Sequence, residues 1–120
     1  MSQITALVLS VVIELPIVLG VIAVARVERR LSWPALIAVI VSATLLTHPI
    51  IWHLNHSLAG TVDFWTRIAF LEAGVVAAEA AIFVFFAGLK FRVAFVASLL
   101  ANAASFGVGI TWWYFAFAPV

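Results

Sequence analysis

The chain has 120 residues, 67% of them hydrophobic and 9% charged, with a formal net charge of +1. A soluble domain runs near half apolar and a quarter charged, so this composition, with a mean hydropathy of +1.28, excludes an ordinary soluble fold and implies an integral membrane protein. The absence of cysteine excludes disulfides, thiolate metal sites and cysteine nucleophiles, and the near-neutral charge without charge runs leaves the lipid bilayer, not nucleic acid, as the expected surroundings.

A helix that crosses a bilayer needs ~20 mainly apolar residues, and four stretches qualify: about 4–25, 33–54, 65–89 and 91–117. The first precedes Ala23-Val24-Ala25, which could pass for a signal-peptidase site. That stretch lacks a positive charge and contains Glu14 and Pro16, so it reads as a retained helix. The second opens with Ser32 as N-cap and Pro34 in the first turn, where proline is tolerated. Helices are expected throughout, because an unclosed strand leaves backbone groups unpaired in lipid. The link "KFR" between the last two stretches is short enough to demand a hairpin. The expected fold is all-α: one domain over 1–120, four transmembrane helices in an antiparallel bundle.

Five of the six basic residues, Arg26, Arg29, Arg30, Lys90 and Arg92, fall in the first and third connections, and only Arg67 falls near the second. By the positive-inside rule both termini face outward, which in a bacterial inner membrane is the periplasm. Trp52, Trp65, Trp112, Trp113 and Tyr114 would form an outer aromatic belt, with Trp33 on the inner side.

Against this background the ionisable residues inside the helices stand out. Each costs roughly 3 kcal/mol on insertion scales, so partners or function must offset it. Counting at ~1.5 Å per residue, Glu14, Glu79 and Asn102 lie near mid-depth with Thr44 close by, while Glu72 and His48 lie nearer the outer end. Glu72 and Glu79, seven apart, share a face of the third stretch. Ser98, Asn102, Ser105 and Gly109 form a small, polar stripe on the fourth, and Ser10 pairs with Glu14 as Thr44 does with His48. Gly74, Ala78, Ala97 and Ala101 are expected at close helix contacts. Pro16 and Pro49 free the carbonyls of Val12 and Leu45 beside ionisable groups, an arrangement that can serve ions.

The three histidines, His48, His53 and His56, lie within nine residues in "LLTHPIIWHLNH". Neutral imidazole with carboxylate is a common ligand set. His48 with Glu72, plus His53, His56 and Asp63 as an outer entry point, forms a candidate site for a divalent metal such as zinc, iron, manganese or nickel. Haem on His48 is a lesser alternative. The competing structural reading makes His53 and His56 ordinary interfacial residues.

The segments "ELPIVL", "LLTHPIIW", "LEAGVVAAEA" and "SLLANAASFGVG" resemble those of a group of small, uncharacterised bacterial four-helix membrane proteins. The group has no assigned activity, so the resemblance implies architecture and no mechanism.

Three functions are expected in order. The first is a small, oligomeric transporter or channel for a proton or divalent cation, with Glu14, Thr44, Glu79, Asn102 and Ser105 as the ion or proton site and His48, Glu72, His53 and His56 as a metal site. The second is an accessory transmembrane subunit of a larger complex, with a metal, haem or pigment as the ligand it could hold. The third is an intramembrane enzyme using paired carboxylates on a lipid-like substrate.

Overall fold

In a computed structural model, which describes residues 1–117, the chain forms four helices: α1 (Gln3–Val24), α2 (Trp33–Ser57), α3 (Phe64–Phe85) and α4 (Phe91–Phe117). Each is long and apolar enough to cross a membrane, which fits a multi-pass membrane protein. Residues 118–120 of the expected domain lie outside the described residues.

The starts of three helices follow from hydroxyl and carboxyl caps that satisfy otherwise orphaned backbone N–H groups. Ser2 Oγ accepts from the Thr5 amide at 3.1 Å, Ser32 Oγ from the Ala35 amide at 3.4 Å, and Asp63 Oδ1 from the Thr66 amide at 3.0 Å. Pro34 sits in the first turn of α2, as expected.

Two boundaries differ from expectation. α2 runs on to Ser57 instead of ending near residue 54, and it passes through Pro49 without breaking. α3 ends at Phe85 instead of continuing to residue 89. The cause is Gly88 at φ +68°, a conformation that costs glycine nothing, together with the Leu89 amide folding back onto the Phe83 carbonyl at 3.2 Å. An Ala Cβ at Gly88 would also meet Arg30 Cδ at 2.7 Å.

The helices form a helical bundle in which α1 packs on α2 and α4, and α3 packs on the same two. The inward faces carry four-residue and three-residue steps: Ala6, Glu14, Val18 and Ile22 on α1; Leu36, Ile40, Ala43, Thr44 and Thr47 on α2. α3 contributes Leu71, Val75, Val76, Glu79, Ala80 and Phe83, and α4 contributes Ala94, Ala97, Ser98, Ala101 and Asn102. Ala97 and Ala101 are buried, as expected of close-packing positions, whereas Gly74 and Ala78 face outward and take no part in the bundle interior. Phe83 fills the core at 1% exposure, while Phe85, Phe86 and Phe91 stand on the outer surface.

Candidate functional site

The bundle is packed at one end and hollow at the other. Toward the α1–α2 and α3–α4 connections, Val18, Ile22, Leu36, Ile40 and Phe83 form a continuous apolar core with the alanines between them. Toward the termini the helices enclose a cavity of about 990 Å³. Its rim is aromatic: Trp52, Trp65, Trp112, Trp113 and Tyr114, expected as a membrane-interface belt, all line it.

The boundary between core and cavity is built from two buried carboxyl groups. Glu14 lies one turn beyond Val18 on the inward stripe of α1. Its Oε2 accepts from Thr44 Oγ1 at 2.7 Å and its Oε1 from Ser105 Oγ at 2.8 Å. Glu79 lies four residues before Phe83 on α3. Its Oε1 accepts from Thr47 Oγ1 at 2.9 Å, and its Oε2 accepts from Asn102 Nδ2 at 2.7 Å with Ser98 Oγ within reach at 3.4 Å. Asn102 Nδ2 also donates to the Ser98 carbonyl at 2.9 Å, which fixes the amide against its own helix. All four helices thus contribute to one polar layer, and every carboxyl oxygen in it has a donor. The glutamates, Thr44, Thr47, Asn102 and Ser105 all line the cavity and form its floor.

The structure brings Glu14, Thr44, Glu79, Asn102 and Ser105 into this layer; depth grouped the first four, and the stripe on the fourth stretch added Ser105. It adds Thr47, which sequence reasoning missed, and gives Ser98 a direct role beside Asn102. A signal for Thr47 existed: it follows Thr44 by three residues, so both hydroxyls lie on the same face.

Nearer the mouth, His48 and Glu72 line the same cavity. No hydrogen bond joins them. His48 Nδ1 is buried with no partner among the described residues, and the ring stacks on Trp52 with centroids 6.1 Å apart. The Glu72 carboxyl, half-buried, makes no hydrogen bond with any described residue. His53 and His56 do not join them. Both are exposed, with His56 Nδ1 bonded to the Trp52 carbonyl at 2.8 Å and His53 Nε2 3.5 Å from Ser57 Oγ. Because α2 stays helical past Pro49, His48 and His56 share a face across Trp52, whereas His53, five residues from His48, points elsewhere.

Among the described residues no three histidine or acidic side chains gather where one metal ion could bridge them. Asp63 is occupied as the α3 cap, and its hydrogen bonds to the Thr66 side chain and amide hold its carboxyl below the usual range. The expected four-residue metal set therefore divides into a cavity pair and two outer histidines. Arg67, the cation nearest this end, is turned to Asn55 Oδ1 at 2.7 Å and to the carbonyls of Val62 and Leu58, so it braces the α2–α3 connection. No lysine or arginine lines the cavity.

The chain matches no protein-family model, no curated protein and no solved structure.

Proposed function

We propose that the protein is a small proton-coupled carrier of the bacterial inner membrane, with its four helices antiparallel, both termini outside, and Glu14 and Glu79 as its proton-carrying groups. One observation carries this reading: the carboxyl layer is the floor of a cavity reached from one end and backed by a tight apolar core at the other. Carriers work by exposing a central site to one side at a time, and ionisable residues held within a membrane bundle commonly mark such a site. The basic connections at the packed end orient that end inward, so the cavity mouth faces out. Of the two cargoes weighed from the sequence, the proton is favoured, because both carboxyl groups are held by neutral hydroxyl and amide donors and lack the further ligands a divalent cation requires.

The chain has no cysteine, so single cysteines test this directly. Ser10→Cys sits in the cavity wall and Ala43→Cys in the sealed core. In proteoliposomes of known orientation, a membrane-impermeant thiol reagent should label Ser10→Cys from the mouth side only. It should label Ala43→Cys slowly from the opposite side, and faster under an imposed pH gradient. Labelling of Ser10→Cys at equal rates from both sides would mean an open pore. Permanent protection of Ala43→Cys would mean a static subunit.

Association with other copies or with partner subunits is the second reading, supported by small residues on outer faces. Gly74 and Ala78 on α3, and Ala103 and Gly107 on α4, are exposed at four-residue spacing, a pattern that lets membrane helices approach closely. Replacing Gly74 and Gly107 with leucine should shift the native mass from an oligomer to a monomer in lipid. An unchanged mass would remove these faces as contact surfaces.

A further inference from the structure

Glu72 has no place in the carboxyl layer. Glu14 and Glu79 each have a donor on both oxygens, but Glu72 faces the cavity with none from the described residues. His48 Nδ1 is buried without a partner among the described residues, on a ring that lines the same space, whereas the Glu72 oxygens are accessible. A carboxyl group that faces a largely apolar cavity with no donor from the described residues is open to a donor from a ligand.

The rest of the cavity narrows what that is. Three carboxyl groups and no lysine or arginine line it, and Arg67 outside it is engaged with Asn55. An anion would find no basic side chain there and would face three carboxyl groups, with Met1 at the lining as the one residue bearing a cationic group. A divalent ion lacks its ligand set. A wholly apolar molecule would leave Glu72 still unpaired. The walls between floor and rim are apolar and aromatic, including Leu9, Ile51, Ile68 and Phe106. A volume of about 990 Å³ is at the upper end of pockets for small organic ligands.

We propose that the cavity binds an organic amine, a protonated amino group on an apolar or aromatic body, with Glu72 as the residue that recognises the ammonium. The N–H donors of the ammonium supply what the Glu72 oxygens lack. The apolar body lies along the cavity walls below the tryptophan rim. The inference rests on the carrier reading for its role: the amine is the substrate, and the protons taken up by Glu14 and Glu79 are exchanged for it.

The test is equilibrium binding to the full chain in lipid nanodiscs, with radiolabelled 4-phenylbutylamine as probe and empty nanodiscs to subtract partitioning. Competition with 4-phenylbutanol and 4-phenylbutyrate, which keep the body and change the charge, measures recognition of the ammonium. Saturable amine binding is expected, with the alcohol and the acid weaker by about tenfold or more. Glu72→Gln should remove the preference for amine over alcohol, and Glu72→Asp should keep it, so general damage from substitution is told apart from loss of charge. Equal binding of amine and alcohol, a preference that survives in Glu72→Gln, or no saturable binding would overturn the proposal. Proton movement by protein that binds no amine would defeat this inference alone, and amine binding without proton movement would defeat the carrier reading alone.

Discussion

Glu79→Gln separates the structural from the chemical role of the buried carboxyl. In the wild-type layer Thr47 Oγ1 lies 2.9 Å from Glu79 Oε1 and 3.0 Å from the Ala43 carbonyl, so its single proton has two acceptors to choose from. A glutamine at position 79 can place its amide nitrogen toward Thr47 and its oxygen toward Asn102. Thr47 then donates to Ala43 and accepts from the new N–H, while Asn102 Nδ2 keeps its acceptor at 2.7 Å. Thr47 and Asn102 stay satisfied and the second glutamine N–H is left to the cavity that position 79 lines, so the substitution should cost no more than about 1 kcal/mol, the worth of one net hydrogen bond. Glu79→Ala has no such exchange. It removes the charged acceptor 2.7 Å from Asn102 Nδ2 and leaves that amide only the Ser98 carbonyl and the longer contact to Ser98 Oγ at 3.3 Å, at about 1–3 kcal/mol. Reversible unfolding in mixed micelles, followed by tryptophan fluorescence, reads both. If Glu79→Gln proves as destabilised as Glu79→Ala, the hydrogen-bond exchange is wrong and loss of activity in the glutamine variant says nothing about proton carriage.

Three further outcomes follow from the geometry. Thr47→Val keeps the shape but strips Glu79 Oε1 of its one donor among the described residues, and should cost about 1–2 kcal/mol in the same unfolding assay, toward the upper end of hydrogen bonds between membrane helices. Gly88→Ala must hold φ near +68° with its Cβ against Arg30, and should cost about 1–2 kcal/mol, more if Arg30 cannot move. Asp63 is a pH-dependent cap. Its folded pKa is depressed, so its contribution is complete above the ordinary aspartate range and is lost as pH falls through the folded value. Amide exchange at Thr66, corrected for its intrinsic pH dependence, should lose protection over that acid range in the wild type and show no such step in Asp63→Ala.

Much of this arrangement was legible from residue types alone. An apolar helix cannot leave a carboxylate in lipid, so Glu14, Glu79 and Asn102 had to turn inward, and their depths put them together. Thr47 was not legible in the same way. A helical threonine can satisfy itself on the carbonyl four residues back, as Thr47 does at Ala43, so its presence does not announce a partner. The outward position of Gly74 and Ala78 was not legible, because small residues suit a helix contact inside the chain and one outside it equally well. The end of α3 was missed because "GLK" continues an apolar run, and only the left-handed Gly88 shows where the helix stops. The histidines were ambiguous because Pro49 permitted either a bend or a straight helix, and their grouping depends on which. The hollow end was hidden most completely. Nothing in the apolar pattern distinguishes the packed stretch around Val18 and Phe83 from the open one around Leu9 and Phe106.

The most direct measurement is proton uptake in proteoliposomes carrying a trapped pH-sensitive dye, under an imposed potential with 4-phenylbutylamine on the opposite face. The wild type should move protons in exchange for the amine, and Glu14→Gln and Glu79→Gln, folded and reconstituted to the same density, should not. Wild-type rates in both glutamine variants, or no proton movement by wild-type protein that binds the amine, would contradict the carrier account.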